Sequence, residues 1–236
     1  MKPNKDYIFS KQKSLWGNPE CIGFGSNDFY IKAIERGLSN QIIIKNHYSK
    51  KVYNGTYIHL GVFVNHDIKG VLQYGYAMNP ASCSSVVDGT KKNEYLELNR
   101  MWISDDAGKY PESKSISYSI KYIKKKYPKI KWIQSFADER CGGFGIVYQA
   151  CSFDYYGEHT SKFWELDGET FHNSIMTSEK AGKRGYNLLN DKNNKNRIIK
   201  YELRQFRYIK YLDKRKKKNC LLKQKPYIKH YDTNKI

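Results

Sequence analysis

Apolar residues show no steady period at the start of the chain. Residues 1–26 are interrupted by Gly17, Pro19, Gly23 and Gly25 and read as irregular. Asn27 or Asp28 predicts the cap of a helix running to Arg36, with Gly37 as its stop, and Ser39 or Asn40 the cap of a second, carrying Ile42, Ile43 and Ile44 as far as His47. The pattern then changes to strands. Tyr57–Val64 and Gly70–Tyr76 flank the turn Asn65-His66-Asp67-Ile68-Lys69 as a hairpin. Asn79-Pro80, a serine cluster and Asp88-Gly89 mark 77–93 as a loop. Tyr95–Ile103 reads as a strand whose alternation puts Leu96, Leu98 and Arg100 on one face and Glu97, Asn99 and Met101 on the other. Ser113 to Tyr127 has helical spacing in Ile116, Tyr118, Ile120 and Ile123, with lysines outward and Pro128 ending it. Trp132 to Ala137 is short and apolar, as a central strand is. Gly142, Gly143 and Gly145 lead into a short helix around Ile146–Cys151, and Phe153–Tyr156, Phe163–Leu166 and Gln205–Leu212 read as strands.

Charge sharpens this α/β picture. The chain has 236 residues, with 42 Lys+Arg against 23 Asp+Glu, a formal net charge of +19. Such an excess favours phosphate-rich partners through long-range attraction and counterion release. The densest run is Lys214-Arg215-Lys216-Lys217-Lys218, and Tyr201, Phe206, Tyr208, Tyr211, Tyr227 and Tyr231 are interleaved with basic residues near it, a mixture that suits phosphate contact and base stacking. The competing reading of 214–236 is a solvated basic tail that follows a domain spanning 1–213. Five Cys without a CxxC pair argue against a disulfide framework or a cysteine-built zinc site. No apolar run has the ~20 residues of a membrane span, and the basic N-terminus lacks an apolar run after it, so a soluble cytoplasmic protein is expected.

The element order, with a hairpin, strand, helix, strand, helix and terminal strands, resembles that of GNAT acetyltransferases. Tyr148-Gln-Ala-Cys-Ser152-Phe153 resembles their YxxxGF signature with Ser152 in the glycine position. A longer set of motifs is more specific. ELNRMW (97–102), PES (111–113), KWIQSFAD (131–138), GIVYQACSFDYYG (145–157) and NHYSKK (46–51) resemble, in order, the Mom family of phage DNA-modification proteins, with a looser echo in QFRYIKYLD (205–213). The resemblance implies a GNAT-like mixed sheet with flanking helices, splayed between its fourth and fifth strands. It also implies a transferase that adds a carbamoylmethyl group to the exocyclic amine of adenine, protecting phage DNA from restriction inside the infected host cell. Two other classes stay open on the residues alone: an N-acetyltransferase acting on a protein or small-molecule amine, and a non-catalytic nucleic-acid-binding protein.

Modifying an exocyclic amine needs an electrophile held in line, an acceptor for the amine proton and a group that stabilises the leaving group. The candidates are Asp138 to hold the amine or take its proton, Tyr148 to protonate the leaving group, and His47, Tyr48 and Ser113 beside them. Asp138 and Ser113 read equally as helix caps, and Tyr148 as a packed tyrosine. Arg100, Ser113, Lys114 and Ser115 are the candidate cofactor contacts, and Lys50, Lys51, Arg215, Lys216, Lys217 and Lys218 the candidate DNA contacts. The substrate that the resemblance implies is double-stranded DNA, or DNA locally unpaired so that the base is reached. Acyl-CoA (acetyl-CoA) is the donor that the fold resemblance implies. Yet Asp105, Asp106 and Glu112 occupy the place where GNAT enzymes have a glycine-rich pyrophosphate loop. Iron or zinc on histidines and carboxylates stays open, with no HxD or HExxH spacing to support a metal site.

Overall fold

The structure is a computed structural model, describing residues 7–11, 20–173 and 184–229. The strands β1 (Tyr7–Lys11), β2 (Glu20–Gly25) and β3 (Phe29–Ala33) precede helix α1 (Arg36–Asn46). The hairpin β4 (Thr56–Val64) and β5 (Asp67–Gly75) follows, then β6 (Tyr95–Ile103), α2 (Pro111–Lys126), β7 (Trp132–Asp138) and the short α3 (Ile146–Ala150). The chain continues through β8 (Asp154–Leu166), β9 (Glu169–His172), α4 (Arg184–Asn190) and β10 (Ile199–Tyr211). This is the mixed α/β architecture expected from the sequence. Among the described residues no helix is long and apolar enough to cross a membrane.

Two expectations fail at the N-terminal end. Phe29-Tyr30-Ile31 is a buried strand paired antiparallel with β4, where a helix was expected. Asn27 and Asp28 lie in a turn instead, in which the Phe29 N–H donates to Ser26 Oγ and the Asn65 N–H to Asp28 O. Aromatic and β-branched residues outweigh the capping signal there. The segment expected to be irregular holds β1 and β2, although Gly17 and Pro19 lie outside the described residues. Gly25 is a close approach rather than a break: a Cβ on it would sit 2.4 Å from Tyr30 Cα. The two strands expected at Phe153–Tyr156 and Phe163–Leu166 are parts of the single strand β8.

Contacts divide the chain into two compact units. The first takes in the described residues of Met1–Ser135, Ile146–Tyr156 and Tyr208–Tyr227. Its strands run in the order β1-β2-β3-β4-β5-β6-β7-β10-β8, and β6 and β7 are parallel. Helices cover both faces. Gln73 of β5 meets Ser39 and Asn40 of α1, while its neighbour Tyr74 meets Ser119 of α2 through a buried 2.5 Å hydrogen bond. Successive residues of a strand point to opposite faces, so α1 and α2 lie on opposite sides. One core cluster gathers Val86, Val87, Tyr95, Trp132, Tyr156, Ile209 and Tyr211. Trp132 stacks on Tyr95 at 4.9 Å, and its indole N–H donates to Thr90 Oγ1 at 3.2 Å.

The segment read as a basic tail packs on this unit as far as Tyr227. The Leu221 N–H donates to Val86 O, the Lys225 N–H to Tyr155 O, and the Tyr227 hydroxyl to Phe153 O. Residues 230–236 lie outside the described residues. The second unit comprises the described residues of Phe136–Gly145, Gly157–Arg207 and Ile228–Ile236, with strands ordered β7-β10-β8-β9 and a small core of Leu166, Phe171 and Leu189.

Trp132→Ala is expected to destabilise the protein by about 3–5 kcal/mol in urea denaturation followed by circular dichroism. Thr90→Val, which strands the indole N–H, should cost about 1–3 kcal/mol. Burial also pushes His59, His159 and His172 below the usual histidine range. The unfolded chain therefore binds more protons than the folded one once the pH falls below about 6.5, and stability drops there as pH falls. Denaturation midpoints measured from neutral to mildly acidic pH should show this loss, with a shallower slope in His59→Phe.

Candidate active site

The centre of the first unit is a polar row inside a sheet. It originates at a bulge between β5 and β6, where Gln73 lies opposite Arg100 but Tyr74 lies opposite Leu98, leaving Asn99 as an extra residue. A bulge resets which face each side chain takes. Arg100 therefore shares the face of Gln73 and Glu97, and Met101, opposite Leu72, turns to the other. Strict alternation had assigned these two the other way round. Gly75, opposite Glu97, lies so close to the start of β4 that a Cβ on it would sit 2.1 Å from the Gly55 carbonyl oxygen.

Glu97 is held by two amides. Asn99 Nδ2 donates to it at 3.1 Å and Gln134 Nε2 at 2.8 Å, while Asn99 also donates to the Tyr76 carbonyl at 3.0 Å. The carboxylate fixes the orientation of both amides, since a flip would set oxygen against oxygen. Their own oxygens, Asn99 Oδ1 and Gln134 Oε1, are buried acceptors without a hydrogen-bond partner. Glu97 and Gln134 are also the last pair of the parallel β6–β7 ladder, which covers Tyr95–Glu97 of β6 although that strand continues to Ile103.

The row continues across β5 and β4. Gln73 Nε2 donates to Ser39 Oγ at 2.8 Å, and Ser39 Oγ meets His59 Nδ1 at 3.1 Å. With Ser39 accepting from Gln73, its own proton goes to His59 Nδ1, which leaves the imidazole proton on Nε2. Gln73 Oε1 and His59 Nε2 are likewise buried and unpartnered. An unpaired buried polar atom carries a desolvation cost of about 1–3 kcal/mol. Four in one row across four adjacent strands mark a place built for something other than stability.

The loop after α1 adjoins the row. Arg100 Nε donates to the Lys51 carbonyl at 3.4 Å and Nη1 to the Asn99 carbonyl at 2.6 Å. His47 is buried, and its ring lies 4.3 Å from that of the half-exposed Tyr48. The Ser49 backbone N–H donates to His47 Nδ1 at 3.1 Å. Nδ1 is therefore an acceptor, and the neutral ring carries its proton on Nε2. In that form Nε2 is a donor rather than an acceptor. Lys50, in a left-handed conformation, and Lys51 are exposed. Tyr53 is within reach of both Glu97 and Arg100, and burial pushes its hydroxyl upward, reinforced by the Glu97 charge.

The remaining candidates in this unit lie on the α2 face or in the docked C-terminal segment. Ser115 is fully buried and donates to the Pro111 carbonyl at 2.7 Å, so its hydroxyl is spent inside the helix. Ser113 donates to the Tyr110 carbonyl rather than capping, and the Lys114 ammonium lies over the Phe29 ring. Tyr148 is buried against Phe153 and Tyr208, and Cys151 links α3 to the start of α2 through Ser113 O. In the C-terminal segment, Arg215 grips Asp213 through two nitrogens and holds that carboxyl down to about 2. Lys217 pairs with Asp154 at 2.8 Å, Lys216 reaches the Gly89 carbonyl, and Lys218 is exposed.

In the second unit, Asp138 accepts from the Arg140 backbone N–H at 3.0 Å and forms a two-pronged ion pair with its guanidinium. This is the capping role its sequence position allowed.

The start of α2 does not fit the pyrophosphate of an acyl-CoA. Pro111 supplies no N–H, Glu112 occupies the first turn, and Tyr110 before it is left-handed with no capping side chain. Asp106 in the preceding loop is held by Lys69 at 2.7 Å. Among the described residues no three His, Cys, Asp or Glu side chains converge as a metal site requires. Sequence reasoning missed Gln73 and Gln134 altogether. Their signal was a polar amide inside each of two apolar strand runs, GVLQYG and WIQSF.

The sequence profile of the Mom protein family matches residues 28–229. The methylcarbamoylase Mom of Escherichia phage Mu is 44% identical over 232 residues, which is 97% of this chain and 95% of that protein. Among solved structures, a ribosomal-protein-S5-alanine acetyltransferase from Vibrio fischeri shares 11% identity at a TM-score of 0.47, over 82% of this chain and 98% of that one. A Salmonella typhimurium acetyltransferase that modifies the N-terminal serine of ribosomal protein L7/L12 shares 12% at 0.46, over 80% and 97%. With the profile covering most of the chain and the Mu relative matching nearly end to end, the chain belongs to the Mom protein family.

Proposed function

We propose that this chain is a DNA-modifying transferase that places a carbamoylmethyl group on the exocyclic amine of adenine in phage DNA. The observation that carries this reading is the 44% identity, across nearly the whole of both chains, to a methylcarbamoylase of phage Mu. The net charge of +19 supports a polyanionic substrate, and the polar row supports a reaction on an amine.

In the reaction a bond forms between the amine nitrogen and the carbon of the incoming group. The bond from that carbon to its leaving group breaks with its electron pair, and the amine proton passes to solvent water. Adenine's amine is a weak nucleophile with its lone pair delocalised into the ring, so orientation outweighs base strength. Asn99 Oδ1 and Gln134 Oε1 offer two fixed acceptors to an –NH2 group, and Glu97 sets both. Accepting hydrogen bonds from the amine aligns it and raises electron density on nitrogen. His47, held as a donor by Ser49, stabilises negative charge that develops on the group transferred or leaving. Tyr148 lies on the α2 face, across the sheet from the row, and packs against Phe153 and Tyr208 rather than donating to the leaving group. Asp138, bound to Arg140, positions the loop after β7 rather than taking the proton. Tyr53, Tyr57 and Tyr76 give a base flipped from the stack aromatic surface to rest on; Tyr57 and Tyr76 lie 5.1 Å apart.

Mass analysis of nucleosides from plasmid DNA of cells making this protein should show deoxyadenosine heavier by one carbamoylmethyl group in place of hydrogen. Unshifted nucleosides with soluble protein present would overturn the reading. Gln134→Met should lower the modified fraction at early times by about 10- to 100-fold, as expected for a lost orienting contact. His47→Gln, which keeps a donor near the Nε2 position, should stay within about tenfold of the parent, whereas His47→Ala loses about 10²- to 10³-fold. Equal losses in the two would make His47 a base.

A further inference from the structure

We propose that one face of the second unit's sheet, carrying Phe136, His159, Phe163, Tyr201 and Arg207, is a binding surface for a DNA strand whose bases are unpaired. The inference rests on the DNA-modification reading and adds to it a site that none of the candidate DNA contacts includes.

The face is built by alternation. His159 and Phe163 occupy one side of β8, while Trp164 and Leu166 occupy the other and pack with the unit's small core. On the first side cations and rings are paired throughout. The Arg207 guanidinium lies 5.0 Å from the Phe136 ring centre, and His159 meets the same ring edge-on at 5.4 Å. The Phe163 ring is stacked by Tyr201 at 5.9 Å, met edge-on by His172 at 5.3 Å, and covered by the Arg140 guanidinium at 4.5 Å. Phe163 is buried beneath these partners, Phe136, Tyr201, Arg207 and His172 are half-buried, and His159 is exposed.

The electrostatics point to an anion. After burial, the Arg207 and His172 charges push the His159 imidazole further down, and the Arg140 charge does the same to His172. At neutral pH both imidazoles are therefore uncharged, and the positive charge of the face is that of Arg207 and Arg140. Asp138, the carboxylate on this face's part of β7, is already bound by Arg140. A phosphodiester strand answers the Arg207 charge, and rings alternating with cations give its bases flat surfaces to stack on. Duplex DNA keeps its base faces covered and gains only the charge term, so the rings select the unpaired form.

The test is fluorescence anisotropy with a labelled single-stranded oligonucleotide and its duplex, over a series of salt concentrations, using the full chain. The parent protein should bind the single strand more tightly than the duplex. Arg207→Gln should reduce the slope of log affinity against log salt by about 0.7, one phosphate contact on a single strand. Arg207→Lys, which keeps the charge and guards against misfolding, should restore the slope. Phe136→Leu should weaken single-strand binding by about tenfold with the slope unchanged. Lys162→Gln removes the same charge from the other side of β8, the side of Trp164 and Leu166, where Lys162 pairs with Glu202, and should change neither quantity. Equal slopes for Arg207→Gln and Lys162→Gln, or full affinity in Phe136→Leu, would overturn the surface while the DNA-modification reading stands. A parent protein that shows no salt-dependent DNA binding would overturn both.

Discussion

The site depends on one carboxylate. Glu97 sits where the parallel β6–β7 ladder ends, and it accepts from the amides of Asn99 and Gln134. A half-buried carboxylate at the end of a ladder is costly unless its oxygens are bonded, and here both are. The consequence reaches further than stability. With both amides turned inward to Glu97, their oxygens have no choice of direction, and two acceptors are left buried and unpaired. Natural proteins keep such groups rarely. Their presence in a row with Gln73 and His59 ties the chemistry of the site to the hydrogen-bond geometry of four neighbouring strands.

The bulge at Asn99 makes the row polar on one side only. Without the extra residue, Arg100 would follow Leu98 onto the α2 face, into the ground of Tyr74 and Ser119. With it, Arg100 reaches the carbonyl of Lys51 and fixes the loop that carries His47 and Tyr48. A bulge next to a functional centre is a recurrent means of re-aiming a side chain. The sequence expectation for this strand had its limits right and its faces wrong for that reason alone.

Where local pattern and packing agree, the fold was legible. The hairpin, β6, α2 and β7 carry clean periodicities and fall within one to three residues of where the pattern put them, the start of β5 at Asp67 rather than Gly70 being the widest difference. Phe29–Ala33 was missed because capping residues precede it, and only its pairing with β4 decides in favour of a strand. The candidate residues were legible as residue types but not as roles. Ser115 looked like a helix-start contact, and its hydroxyl is consumed by the Pro111 carbonyl. His47 was a candidate without a set role, and one backbone N–H from Ser49 makes it a donor. Lys217 looked like a tail cation, and it holds Asp154. The Lys217 pair joins residues far apart in sequence, and the other two turn on which nearby partner a side chain takes, and no spacing rule encodes either.

The central claim is that the two orphan amide oxygens receive an amine. The most direct measurement is a crystal structure of the protein with an oligonucleotide containing one unpaired adenine. The account predicts the adenine amine about 3 Å from Asn99 Oδ1 or Gln134 Oε1, with the base against the Tyr57 and Tyr76 rings. An adenine bound elsewhere on the first unit, with water on both oxygens, would contradict it.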